Sequence, residues 1–175
     1  KIVEGTDLEK FGGKAGRNIS NFYISGRLRE LDVSAARNLS FGHPVTEADA
    51  EFSFGQVVDG TRSSIIVADL GAGKSSAMQT HIIASASTEK SARTPTFIVP
   101  LHLLPKGELR DYVDFIHAVE RHISNQGMDD FEMSGVEGAV FLFDGFDELK
   151  ARHDEIAMHV STLARDESVK VVLTT

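Results

Sequence analysis

Residues 68–76 read Ala-Asp-Leu-Gly-Ala-Gly-Lys-Ser-Ser and follow directly on the apolar run Ile65-Ile66-Val67. This pattern specifies a strand that feeds a glycine-rich turn and then a helix. Gly71 and Gly73 let the backbone curl so that successive N–H groups point inward and cradle an anion. Residues from Lys74 onward open the helix, whose positive N-terminal end faces that anion. If the anion is a nucleotide, Lys74 reaches its outer phosphates and Ser75 sets its hydroxyl on Mg²⁺. Ala72 and Ser76 complete the segment, and Asp69 either bonds within the turn or faces water. One position departs from the usual pattern: Ala68 stands where its first glycine belongs. Alanine fits there provided its φ is negative. The competing reading is a glycine turn between a strand and a helix, with no ligand.

A second segment favours the ligand. Residues 139–148 read Ala-Val-Phe-Leu-Phe-Asp-Gly-Phe-Asp-Glu. Five residues without polar side chains run into Asp144, as in a buried parallel strand that ends at a site. Ligands of open α/β sheets lie at the carboxyl ends of the strands. Asp144 is therefore expected beside Ser75, completing a Mg²⁺ shell through water. Gly145 leaves room for the nucleotide. Asp147 and Glu148 supply two further carboxylates, of which Glu148 is preferred to orient or deprotonate an attacking water. Taken alone, the segment also reads as a core strand followed by a solvated acidic turn.

Together these segments resemble the NACHT domain, the nucleotide-binding module of STAND-type signal-transduction NTPases. Asp144-Gly145-Phe146-Asp147-Glu148 reproduces that family's Asp-Gly-apolar-Asp-Glu strand ending. Arg93–Leu101 resembles its second strand. Lys170–Thr175 resembles its sensor strand, which implies that Thr174 or Thr175 approaches the γ-phosphate. Phe22–Leu28 resembles the segment that lies against the adenine, which implies contacts near Tyr23 and Ile24. The resemblance is strong over residues 63–76 and 139–149 and weak before residue 55. It implies ATP or ADP with Mg²⁺, slow hydrolysis, nucleotide-controlled self-oligomerisation, and a role in innate immune or antiphage signalling with an unidentified sensed ligand and effector.

Composition sets outer bounds. The chain has 175 residues, 41% hydrophobic and 25% charged, the profile of a soluble globular protein able to bury one core. No apolar run approaches the ~18 residues that span a bilayer, and no signal peptide is visible. The absence of cysteine excludes disulfides and thiolate chemistry and fits a cytoplasmic setting. A net charge of −8 argues against nucleic-acid binding by this segment. The local cluster Lys10, Lys14, Arg17, Arg27 and Arg29 reads as a solvated face. The chain starts without methionine and stops inside a strand pattern, as expected of a piece of a longer protein. These residues alone are then expected to bind weakly and to show negligible turnover.

The periodicity predicts strands over 61–67, 96–101, 139–143 and 169–174, and helices over 74–87, 107–126 and 153–165. The middle helix is the clearest, with Leu109, Tyr112, Val113, Ile116, Val119 and Ile123 on one face. A strand or extended segment is expected over 21–32, a helix start near Pro44 and Thr46, and a short helix built from Phe52, Phe54, Val57 and Val58. Residues 1–55 form a lead segment and residues 56–175 the core. Such alternation implies a parallel sheet in a three-layer α/β/α fold of the P-loop NTPase kind. The family resemblance implies the order first, fourth, third, second, with the fifth strand truncated and the first strand left as an edge. The histidines show no metal spacing and read as solvated or partly packed, and Glu120 as a solvated helix face. Two other activities share parts of the pattern. An AAA+-like constitutive ATPase is disfavoured by Gly145 and the Asp147–Glu148 pair, and a small-molecule kinase by the lack of a dense basic lid after residue 148.

Overall fold

The computed structural model describes residues 28–29, 51–68, 71–86, 94–105, 109–149 and 152–175. They belong to two compact units, one within Ile24–Gly60 and one holding Thr61–Thr175. In the smaller unit, β1 (Leu28–Arg29) pairs antiparallel with β2 (Glu51–Phe52). Helix α1 (Phe54–Asp59) follows at once because Ser53 caps it: Gln56 N–H donates to Ser53 Oγ at 3.2 Å, and Ser53 N–H donates to Gln56 Oε1 at 2.8 Å. Phe52, expected in this helix, instead closes the preceding strand. The expected helix start near Pro44 and Thr46 lies outside the described residues.

The larger unit runs β3 (Ser64–Ile66), α2 (Lys74–Ala86), β4 (Thr96–Pro100), α3 (Tyr112–Ser124), β5 (Ala139–Asp144), α4 (His153–Leu163) and β6 (Val169–Thr174). Its four strands form one parallel sheet in the order β3-β6-β5-β4, the order the family resemblance implied. Register places Ile66 opposite Thr174, Phe143 opposite Leu173, and Pro100 opposite Asp144. The proline is tolerated because β4 is an edge strand and Pro100 is its last residue.

Alternation along β5 shows how both faces of the sheet are covered. Ala139, Phe141 and Phe143 join one core with Val99, Val171 and Leu173, Phe115 of α3, and Ile156 and Leu163 of α4. Phe97 stacks on Phe141 with centroids 5.4 Å apart, and Phe115 lies 5.8 Å from Phe143. The intervening Val140 and Leu142 point to the opposite face and are also buried. Helix α2 packs on β5 and buries Ala77 and Met78. A strand buried on both faces has no alternation to preserve, which is why 139–143 is apolar throughout.

Three local differences from the sequence expectation have physical causes. Strand β3 is shorter than 61–67: its regular ladder with β6 covers Ser64–Ile66, on one side, and only isolated backbone bonds continue beyond it. Helix α3 begins at Tyr112 rather than 107, because Asp111 is extended and its carboxylate accepts Asp114 N–H at 2.9 Å. Leu109 is buried in the same core without belonging to the helix, so the apolar period outruns the helical backbone. In α2 the expected stripe of Met78, Ile82 and Ala86 shifts, with Ala77 and Met78 buried and Ile82 and Ala86 only half-buried.

Two polar residues also differ from expectation. His159, read as solvated or partly packed, is 1% exposed and stacks on Phe115 with centroids 5.4 Å apart. Glu120, read as a solvated face, accepts Met133 N–H at 2.9 Å and ties the loop before β5 to α3.

Candidate functional site

The carboxyl ends of β3, β6 and β5 lie side by side, and Lys74, Asp144, Asp147 and Thr174 are linked there in pairs. The turn after β3 carries two glycines in the left-handed region, Gly71 at φ 82° and Gly73 at φ 86°. A side chain at either position would strain the backbone, so the turn requires glycine there. Ala68 has no such need: among the described residues Asp130 is the only non-glycine with positive φ. Alanine is therefore accommodated where the pattern has glycine. Ala68 N–H donates to Thr175 O at 3.1 Å, and Thr175 N–H donates to Ile66 O at 3.0 Å, so the β3–β6 ladder continues to the mouth of the turn.

Helix α2 starts at Lys74, and Ala77 N–H donates to Gly73 O at 2.8 Å to close its first turn. The Lys74 ammonium is drawn back over the turn. It donates to Ala68 O at 2.8 Å and lies 3.9 Å from Asp147 Oδ2, with only 11% of its side chain exposed. A cation is thus held above a glycine turn at a helix N-terminus, an arrangement that attracts anions. Ser75 is exposed at the second position of α2, and Ser76 is half-buried beside it.

Asp144, the last residue of β5, accepts the Thr174 hydroxyl at 2.7 Å through Oδ1. Thr174 is fully buried, and its oxygen also accepts Gly145 N–H at 3.4 Å. The hydroxyl therefore orients Asp144 and fixes the exit of β5 relative to β6. Thr174→Val removes that hydroxyl at nearly constant volume and is expected to cost about 1–3 kcal/mol. Urea unfolding reads the loss as a lower midpoint at unchanged slope. Midpoints equal to wild type would show that the bond contributes nothing.

Gly145 is itself left-handed at φ 77° and starts the short 3₁₀ turn Phe146–Glu148. That turn presents its two carboxylates in opposite directions. Asp147 faces Lys74, whereas Glu148 lies 3.5 Å from His102 Nδ1 across the neighbouring turn after β4. Both carboxylates were expected beside the anion site; in this structure Asp147 is the one that faces Lys74. His102 was not among the residues singled out by the sequence. Its place was nonetheless readable, because adjacent parallel strands bring the residues just beyond their ends together, and β4 neighbours β5.

Asp69, Tyr23 and Ile24 lie outside the described residues. Among the described residues no group of three or more histidine, aspartate or glutamate side chains is clustered to hold a metal ion. A single hydroxyl and a single carboxylate suffice for Mg²⁺ that keeps its waters and binds phosphate oxygens, so the donor set of Ser75 and Asp144 fits that ion. None of the described helices is long and apolar enough to cross a membrane.

Fold and site together define an α/β protein with a polar centre at the carboxyl edge of a four-stranded parallel sheet. Comparison with protein-family models, with curated proteins and with solved structures found no match.

Proposed function

We propose that this chain is a P-loop NTPase module of NACHT type, which binds adenine nucleotide with Mg²⁺ and hydrolyses ATP slowly as a signalling switch. The observation that carries this reading is the Lys74 ammonium held at 2.8 Å by Ala68 O over the Gly71–Gly73 turn, with Asp147 at 3.9 Å. A carbonyl and a carboxylate make oxygen contacts to this ammonium of the kind that phosphate oxygens would make. Gly71, Ala72, Gly73, Ser75 and Ser76 supply the surrounding amides and hydroxyls. Asp144 and Ser75 would hold Mg²⁺, which when bound would neutralise charge on the phosphate oxygens.

In hydrolysis the oxygen of a water forms the new bond to the γ-phosphorus, and the bridging bond to ADP breaks. The water's proton passes to a carboxylate of the 146–148 turn. Glu148 takes that role once its side chain swings away from His102, and Lys74 balances the developing charge. Nucleotide state then controls self-association in the cytoplasm, in innate immune or antiphage signalling. A constitutive ATPase of AAA+ type is the competing assignment, and rapid untriggered turnover would favour it.

Glu148→Gln tests the chemistry. Single-turnover hydrolysis of ATP is expected to slow by about 10²–10⁴-fold while MgATP affinity stays within about twofold. A variant that hydrolyses at the wild-type rate would remove Glu148 from the reaction.

A further inference from the structure

The chain leaving β4 and one side of α3 frame a concavity of about 290 Å³. Its floor is apolar: Leu109 and Ala118 line it, are 2% and 4% exposed, and belong to the core behind it. Arg110 and Arg121 also line it and are exposed, so they form its rim. Sequence spacing explains the grouping. Arg110 stands just ahead of α3, and Asp114, His117, Ala118 and Arg121 follow at three- and four-residue steps, which places them on one helix face.

The wall on the β4 side is held from behind. Pro105 lines it, and the Pro105 carbonyl accepts Arg152 Nη1, from the N-cap of α4, at 3.3 Å. Asp114 Oδ2 accepts Arg110 N–H at 3.1 Å, so that carboxylate is turned to the start of the helix. The Arg110 guanidinium has no hydrogen-bond or ion-pair partner among the described residues. Two guanidinium groups thus outweigh one carboxylate around an apolar floor, on a chain whose net charge is −8.

We propose that this concavity binds a small organic carboxylate, with its anionic head between Arg110 and Arg121 and its apolar body on Leu109 and Ala118. A guanidinium can take a carboxylate at two points, through parallel N–H groups. The buried floor favours a ligand that removes apolar surface from water. The volume lies at the lower end of small-molecule sites, roughly 300–1,000 Å³, which suits an aromatic or branched aliphatic acid. The site is separate from the centre around Lys74. It uses the chain after β4, which is the opposite edge strand from β3, and the two share no residue. Carboxylate binding here therefore does not depend on nucleotide binding there.

Benzoate is the probe, titrated into the ¹⁵N-labelled chain at one pH near neutrality and at constant ionic strength. Amide shifts are expected at Leu109, Arg110, Ala118 and Arg121, saturating with a Kd of about 1 mM, the range open to a ligand this small. Acetate carries the same charge with almost no apolar body. It is expected to bind at least about tenfold more weakly, because it leaves the floor uncovered. Equal affinity for benzoate and acetate would mean an adventitious ion only and would overturn the proposal.

Arg110→Gln and Arg121→Gln test the head-group contact. Both side chains are exposed, so folding is not at stake. Each change is expected to weaken benzoate by about two- to fivefold, and the two together by about tenfold. Benzyl alcohol, the uncharged counterpart, is expected to bind wild type and variants equally. Unchanged benzoate affinity in the double variant would overturn the proposal. So would an equal loss for benzyl alcohol, which would trace the effect to altered shape rather than charge. Benzoate shifts centred on Gly71, Gly73 and Lys74 would overturn it as well, by placing the carboxylate at the glycine turn.

Discussion

Lys74→Ala is expected to weaken binding of MgATP and MgADP by about a hundredfold while leaving the fold intact. A hydrogen bond to a charged group contributes roughly 1.5–3 kcal/mol, and each 1.4 kcal/mol is tenfold in affinity. One such contact therefore accounts for about ten- to a hundredfold, and the ammonium has more than one phosphate oxygen to address. Lys74 is engaged with Ala68 O and Asp147, so truncation also leaves a carbonyl and a carboxylate facing incoming phosphates without the cation between them. That adds repulsion to lost attraction. Calorimetric titration of wild type and variant checks it. Affinities within threefold of each other would show that nucleotide binds elsewhere. The variant's thermal midpoint is expected to stay close to wild type, because the deleted ammonium lies at the mouth of the turn rather than in the core.

Phe143→Ala carries the largest expected effect on stability, about 3–5 kcal/mol. Phe143 is fully buried in the central strand β5, 5.8 Å from the ring of Phe115 and 6.5 Å from that of Phe141. Three elements converge on it, since β5 lies between β4 and β6 and α3 covers this face. Partial collapse around the cavity is restricted from each side. For a chain of this length the loss corresponds to a fall in Tm of roughly 6–20 °C. The effect reaches the site as well, because Phe143 precedes Asp144, and the Asp144–Thr174 bond at 2.7 Å depends on where β5 ends. Calorimetric unfolding measures the loss. A drop of less than about 1 kcal/mol would mean that the core repacks freely there, contrary to the close packing of protein interiors.

The parts of this fold that were legible in the sequence are those fixed by burial. Strand β5 is a continuous apolar run up to Asp144 because both neighbours and both faces are protein, and the sequence boundary 169–174 coincides with β6. The sheet order was implied by family resemblance rather than by periodicity, and the register bears it out. The parts that escaped depend on single hydrogen bonds. Asp111 decides where α3 starts, and no hydrophobic pattern encodes that. His159 looks like any polar residue on a helix until the Phe115 ring is placed against it.

The site divides along the same line. Which residues gather was readable, because strand ends converge and glycines mark the turn. Where each side chain points was not. Asp147 and Glu148 are adjacent in sequence, yet one is claimed by Lys74 after β3 and the other by His102 after β4. Residue type and spacing cannot separate those two fates, since each is decided by a neighbour more than 40 residues away in the chain.

The most direct measurement is an amide-resonance titration of the ¹⁵N-labelled chain with MgADP. If nucleotide binds where Lys74 crosses the glycine turn, the largest shifts are expected at Gly71, Gly73, Lys74 and Ser75, with smaller ones at Gly145 and Thr174. Shifts concentrated on the far ends of the strands, or none at millimolar MgADP, would contradict the assignment of this centre as a nucleotide site.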